Sequence, residues 1–207
     1  ASVLKQNHNL GRFRVTNLNG NTDADAQFET IHCLGTRSFS IFNTSTKQIV
    51  FDSGDDFERY TAANLPTLFN ADHENNTPKG RSRAKGPEPE GVTIAQIATE
   101  TFAFVSLERV GGVIVYNITN PNNPVFVDYK NSRSTSAYSG DHGPEGITYI
   151  APANSATAKG YVLVANEIYG WRQLFDIHKK YEEFGREEHF EFIGRPSCHI
   201  DSNFHLA

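Results

Sequence analysis

The chain has 207 residues, enough for one substantial core or two small ones, and its 19 Lys+Arg against 24 Asp+Glu leave a net charge of −5. No basic stripe is present, which argues against nucleic acid as a partner. The longest apolar runs, Gly112–Tyr116 and Tyr161–Ala165, are far too short to cross a bilayer, so no transmembrane segment is expected.

The chain contains no methionine and begins Ala1-Ser2-Val3, which is expected of a processed mature chain whose leader has been removed. Sequons stand at Asn43, Asn75 and Asn117; they matter in a secreted protein and are candidate glycosylation sites there. Cys33 and Cys198 are either one long-range disulfide or two buried thiols. Together these features favour a secreted, extracellular or cell-surface location.

In chain order, the first polar stretch is "NLNGNTDADAQFE" (17–29). Asn19, Asn21, Asp23 and Asp25 alternate as in a calcium loop, but Ala24 holds the place of the turn glycine and Glu29 falls one position short of the final ligand. A solvated turn is the better reading, with Asp23 and Asp25 kept as weaker metal candidates. "SFSIFNTSTKQIVFDSG" (38–54) reads as a hairpin. The following "DSGDDFE" (52–58) caps a loop or binds a cation through Asp55. "ADHENN" (71–76) reads as polar loop.

Next comes "GPEPEG" (86–91), which introduces four strand-like runs: "EGVTIAQI", "TFAFVSLE", "GGVIVYNI" and, after the turn "NPNNP", "PVFVDY". The pattern returns. "GDHGPEG" (140–146) repeats the Pro-Glu-Gly entry, and Phe104–Ile118 slides onto Leu163–Ile177 so that Val105 meets Val164, Glu108 meets Glu167 and Gly111 meets Gly170. The 38–54 hairpin is a weaker third copy. Four short strands recurring in this way predict an all-β chain and a partial β-propeller, with about three to four recognisable blades over 1–177 and an irregular tail over 178–207. The alternative is an irregular β-sandwich with a duplicated hairpin. In the tail, Tyr181 and Phe184 mark a short helical face and "HFEFI" a strand, either of which would cover an open blade edge.

In a blade, the start of the first strand and the end of the second share one face. Glu90 and Glu145 begin first strands; Glu108 and Glu167 end second strands. That arrangement predicts a cluster of carboxylates, with Asp141 nearby, and calcium is the cofactor such hard oxygen donors suit. The competing reading is that these glutamates bond loop amides or neighbouring arginines. None of the eight histidines has ligand spacing, and no nucleophile elbow, phosphate-binding glycine loop or His-Glu-x-x-His motif is present.

"GRFRV", "RSFSIFN", "FDSGDDFERYTAANLP", "KGPEPEGVTI", "FAFVSLERVGGVIVYNITNPNNPVFVDY" and "GDHGPEGITYI…LVANEI" together resemble a secreted β-propeller family. It includes the mesenchyme-specific cell-surface glycoproteins of biomineralising animals and bacterial relatives of the choice-of-anchor or alkaline-phosphatase-like type. The resemblance runs from about Leu10 to Ile177; the Pro-Glu-Gly loops are also similar, less closely, to phytase-like propellers. It implies an extracellular, calcium-associated, glycosylated propeller. The chain departs from the family pattern where Arg83-Ala84 precede Lys85, since relatives tend to be acidic there.

Two functions follow as expectations. One is a structural, matrix or binding protein stabilised by calcium. The other is a calcium-dependent phosphoesterase in which metal held by the glutamates activates water. The phosphoesterase would need a phosphate clamp, for which Lys85 and Arg109 are the candidates. A second chain or a homo-oligomer would cover any open blade edges.

Overall fold

The computed structural model describes residues 2–23 and 25–168, together with short strands between 172 and 194. Its elements are β1 (Ser40–Phe42), β2 (Ile49–Asp52), α1 (Asp56–Asn64), β3 (Pro89–Ile97), β4 (Glu100–Leu107), β5 (Val113–Asn117), β6 (Val125–Lys130), β7 (His142–Ile150), β8 (Gly160–Ile168), β9 (Arg172–Ile177), β10 (Lys179–Lys180), β11 (His189–Phe190) and β12 (Ile193–Gly194). The chain is predominantly β, as expected, and its sheets are antiparallel.

Two four-stranded sheets dominate. The first runs β3-β4-β5-β6 in chain order, and the second runs β7-β8-β9-β12. The first matches the four strand-like runs read from the sequence almost residue for residue. In the second, the fourth position is filled from the tail: Ile193 pairs with Asp176 and Gly194 with Phe175. Strands β3 and β7 lie beside each other, so the two sheets meet through their first strands. A closed ring is not present among the described residues.

Alternation along the strands explains why the first sheet is apolar throughout. Phe102, Phe104, Val113 and Val115 point to one side, where they pack with Ala95 of β3 and with Val162 and Val164 of the second sheet. Val105, Leu107, Ile114 and Tyr116 point to the other side and meet Phe57 of α1, with Phe39 and Phe51 of the β1–β2 hairpin packed against them. Covered on both faces, β4 and β5 read as continuous hydrophobic runs. Each fully buried phenylalanine contributes roughly 1.5–3 kcal/mol relative to exposure.

The 38–54 segment is a hairpin as expected, with Ile41 opposite Phe51. Asn43 closes its turn by accepting from the backbone N–H groups of Ser45 and Thr46, both at 2.9 Å. It remains a two-stranded sheet. The stretch after it corrects the loop reading, because Asp56 opens a helix. Asp56 and Glu58 lie in its first turn, where the helix dipole favours anions. Phe57 and Thr61, one turn apart, are buried, and the Tyr116 hydroxyl donates to Asp56 at 2.9 Å. The helix was hidden because so few of its residues are apolar.

Before residue 38 the described chain holds turns, bends and one isolated bridge, Val15 to Cys33. Cys33 is exposed, which corrects the buried-thiol reading for that residue; Cys198 lies outside the described residues. The helical face at Tyr181 and Phe184 is likewise outside them. Of "HFEFI", His189–Phe190 and Ile193 are strand. Among the described residues, no helix is long and apolar enough to cross a membrane.

Candidate functional site

The ends of β4 and β8, the turn before β3 and the 71–77 loop converge on one polar cluster. The turn before β3 is fixed by backbone bonds: Glu108 N–H donates to the Glu88 carbonyl at 2.8 Å and Arg109 N–H to the Pro87 carbonyl at 3.1 Å. Gly86 and Glu88 are both left-handed, with φ of 65° and 54°. The repeat aligns Glu88 with Gly143, whose φ is 68°. Glycine adopts this conformation freely, whereas a side chain there costs roughly 1–2 kcal/mol. The first repeat bears that strain and places a carboxylate inward.

Glu88 is the centre of the cluster, with its side chain only 1% exposed. One oxygen accepts from Arg81; the other lies 2.6 Å from the Lys85 ammonium and 3.5 Å from Arg109 Nε. Burial alone would raise its pKa, but hydrogen bonds from Lys85 and Arg81, with the charges of Arg81 and Arg109, hold it below the ordinary value. Lys85 is raised in turn, chiefly by its bond to Glu88.

Glu108 behaves oppositely. It is buried and pushed up to about 7, by desolvation first and then by its hydrogen bond with Glu90, despite Arg109 at 3.0 Å. His73 completes the group: its Nδ1 is 3.3 Å from Glu108 and 3.8 Å from Glu167. The Arg109 guanidinium lies against the same ring, 2.8 Å from Nδ1, and also reaches Asp72 at 3.3 Å. Burial and then Arg109 lower the His73 pKa, so the ring is neutral at physiological pH.

Of the sequence-derived ligands, Glu90, Glu108 and Glu167 come together here. Oxygens of Glu88, Glu90 and Glu108 lie within 4.8 Å of one another, as do ligand atoms of His73, Glu108 and Glu167. Glu145 is exposed on β7, its backbone carbonyl turned towards Gly91, and it joins neither group. Asp141 accepts from the Ser132 hydroxyl at 2.9 Å, in the loop before β7. Asp23 and Asp25 do approach each other, with Glu29 beside them, in a fully exposed turn; Glu29 is held by the Thr22 amide at 2.7 Å. Asp55 stands exposed at the start of α1.

His73, Asp72, Arg81 and Glu88 are the residues sequence reading missed. Glu88 lay inside the quoted "GPEPEG", one residue away from a signal; "ADHENN" gave none. The arginine-bonding alternative describes Glu108, which has Arg109 at 3.0 Å. The cluster also has an acidic surplus: Asp72, Glu88, Glu90, Glu108 and Glu167 face Arg81, Lys85 and Arg109. Its oxygen donors suit calcium, and Lys85, 3.6 Å from Glu90, is the resident charge such an ion would displace. Glu108 belongs to both groups, Glu90 to one and Glu167 to the other.

The sequon asparagines are separated by environment. Asn43 and Asn75 are exposed, whereas the Asn117 amide donates to Glu100 at 2.8 Å from the end of β5.

A profile of the choice-of-anchor I domain matches residues 1–121, more than half of the chain. Gigasin-3a of Magallana gigas is 26% identical over 184 residues, an alignment covering 81% of this chain and 64% of that protein. The chain thus spans less than two thirds of that relative's length. No solved structure matches. The chain belongs to the choice-of-anchor I domain family.

Proposed function

We propose that this surface- or extracellular-associated chain is part of a β-propeller whose acidic end binds calcium and which serves a structural or binding role without catalysis. The observation that carries the reading is the convergence of Glu108 and Glu167 on His73. These glutamates are equivalent in the repeat and end the second strands of different sheets. Their meeting is what neighbouring blades around a common axis require, since each blade presents the same strand end to the channel. Family membership and the likeness to Gigasin-3a support the surface-associated setting. Glycosylation at Asn43 and Asn75, and a matrix or biomineral context, belong to the same proposal. So does a second copy or further chain against exposed sheet edges.

The phosphoesterase reading gains Arg81 beside Lys85 and Arg109. All three guanidinium or ammonium groups, however, are already committed to Glu88 or Asp72. A phosphate would have to strip them from the buried Glu88 and the half-buried Asp72, which weakens them as a clamp. Calorimetric calcium titration is the deciding experiment. Saturable binding, lost in Glu90→Gln/Glu167→Gln, supports the proposal; absence of binding removes calcium from it. Calcium-dependent hydrolysis of an aryl phosphate, abolished by the same substitutions, would replace the non-catalytic role with the enzymatic one.

A further inference from the structure

A cavity of about 620 Å³ lies between the N-terminal segment and the 78–83 loop. Its lining includes Asn7, His8, Arg12, Lys79, Ser82 and Arg83, and it contains no Asp or Glu. That is a local reversal of sign in a chain of net charge −5. Among the described residues, Arg12, Lys79 and Arg83 make no ion pair with a carboxylate. Loop 78–83 sorts its cations: Arg81 turns to Glu88 and Asp72, while Lys79 and Arg83 line the cavity.

The walls are tied to the rest of the fold. Arg14 N–H donates to the Arg83 carbonyl at 2.8 Å, joining the N-terminal segment to the loop. The loop is anchored through Lys79 N–H to the Phe69 carbonyl at 2.7 Å and Arg81 N–H to the Asn70 carbonyl at 2.8 Å, beside the fully buried Leu68 and Ala71. Lys79 itself holds a φ of 65°, a conformation disfavoured for lysine. Three like charges held around one space repel each other unless an anion enters.

We propose that this cavity binds an oxyanion ester, a phosphate or sulfate group carried on a polar organic body. Paired arginines match the tetrahedral oxyanion through their planar donor forks, and Lys79 adds a point charge. The volume is that of a small-molecule site and exceeds what a bare oxyanion fills. Asn7, Asn9 and Ser82 offer hydrogen bonds to hydroxyl groups on the attached body. Because the cations are exposed, binding weakens as salt rises.

The test is calorimetric titration with glucose 6-phosphate, glucose 6-sulfate and glucose. One or both esters should bind while glucose does not, and the stronger ester identifies the source of the oxyanion. Arg12→Ala/Arg83→Ala should weaken binding at least about tenfold, the scale of one lost charge-assisted contact. Lys79→Gly keeps the left-handed backbone and removes the charge, and should weaken binding several-fold; it decides the matter alone if the double variant does not fold. Glu90→Gln/Glu167→Gln should leave ester binding unchanged, which separates this site from the calcium proposal. Absence of binding by both esters, equal binding of glucose, or unchanged affinity in the cavity variants overturns it.

Discussion

Val105 and Val164 occupy the same position in two different sheets. Val105 pairs across to Val92, and Val164 pairs across to Ile147, the residue the repeat aligns with Val92. The match extends to the irregularities: Pro89 faces Leu107 and Pro144 faces Asn166, each pair just before a register shift. The duplication is therefore structural, down to its bulges, and the contact between the two copies becomes open to test.

Gly91 lies at that contact. A Cβ built there meets the Ser106 hydroxyl at 2.6 Å, the Glu145 carbonyl at 2.9 Å and Ile147 Cγ2 at 2.9 Å. Its counterpart Gly146 meets only the Ala165 methyl, at 3.3 Å. Gly91→Val should cost roughly 1–3 kcal/mol by overpacking and lower the melting temperature by several degrees. Gly146→Ala should cost less. Equal melting temperatures for wild type and Gly91→Val would show that the two first strands are not packed in this way.

Glu88 and Glu90 are two residues apart yet should respond very differently to loss of charge. Glu88→Gln takes from Arg81, Lys85 and Arg109 the one buried carboxylate that all three share, at a cost of about 3 kcal/mol. Glu90 is exposed, pairs only loosely with Lys85, and in Glu90→Gln keeps a side chain able to hydrogen-bond Glu108, so that substitution should stay within about 0.5 kcal/mol. Urea unfolding of the two variants makes the comparison. Near-equal midpoints would remove Glu88 from the centre of the network.

The strands were legible because period-two alternation and turn residues delimit them, and because the repeat states each one twice. The site was only half legible. Glu108 and Glu167 stood out as repeated glutamates at strand ends. Glu145 shares the repeat with Glu90 but not its surroundings: the positions of Lys85 and Glu88 are taken in the second repeat by Gly140 and Gly143, so no cation holds Glu145 inward. His73 carries no local signal at all. Its burial is imposed by residues far along the chain, and neither periodicity nor spacing encodes such a contact.

His142 is fully buried, with Nε2 3.1 Å from the Ser139 carbonyl and its ring 4.6 Å from that of Tyr138. Burial, and then the charge of Arg133, lower its pKa from 6.5. The folded state therefore takes up a proton less readily than the unfolded chain. The stability this contributes is complete above pH 6.5 and is lost as pH falls through the lowered value. Proton NMR should show a histidine titrating below 6.5 that vanishes in His142→Asn. A His142 resonance titrating at or above that value would contradict the assignment.

Arg133 explains how the 71–77 loop reaches the site. Its side chain is buried, with the residue 4% exposed. It donates to the carbonyls of Arg109 at 2.8 Å, Asp72 at 2.7 Å and Asn75 at 2.6 Å, and to the Asn76 side-chain oxygen at 2.9 Å. Asn76 returns two bonds, to the Ser134 and Ala137 carbonyls at 2.9 Å each. One planar guanidinium thus joins the loop carrying His73 to the turn carrying Glu108. Burial lowers its pKa, but an arginine remains charged, so the carbonyl oxygens must supply the solvation that water would have given. Lysine has a single ammonium and cannot span acceptors on both segments. Arg133→Lys should therefore cost roughly 2–4 kcal/mol, the loss of several buried charge-assisted bonds with partial compensation. It should also loosen the loop ahead of the global transition, exposing the Lys79 and Arg81 peptide bonds to trypsin under native conditions. Asn76→Ala, which removes one acceptor and two return bonds but leaves the guanidinium in place, should show a smaller version of both effects. An Arg133→Lys protein with wild-type stability and a trypsin-resistant loop would mean that His73 is held at the cluster by other contacts.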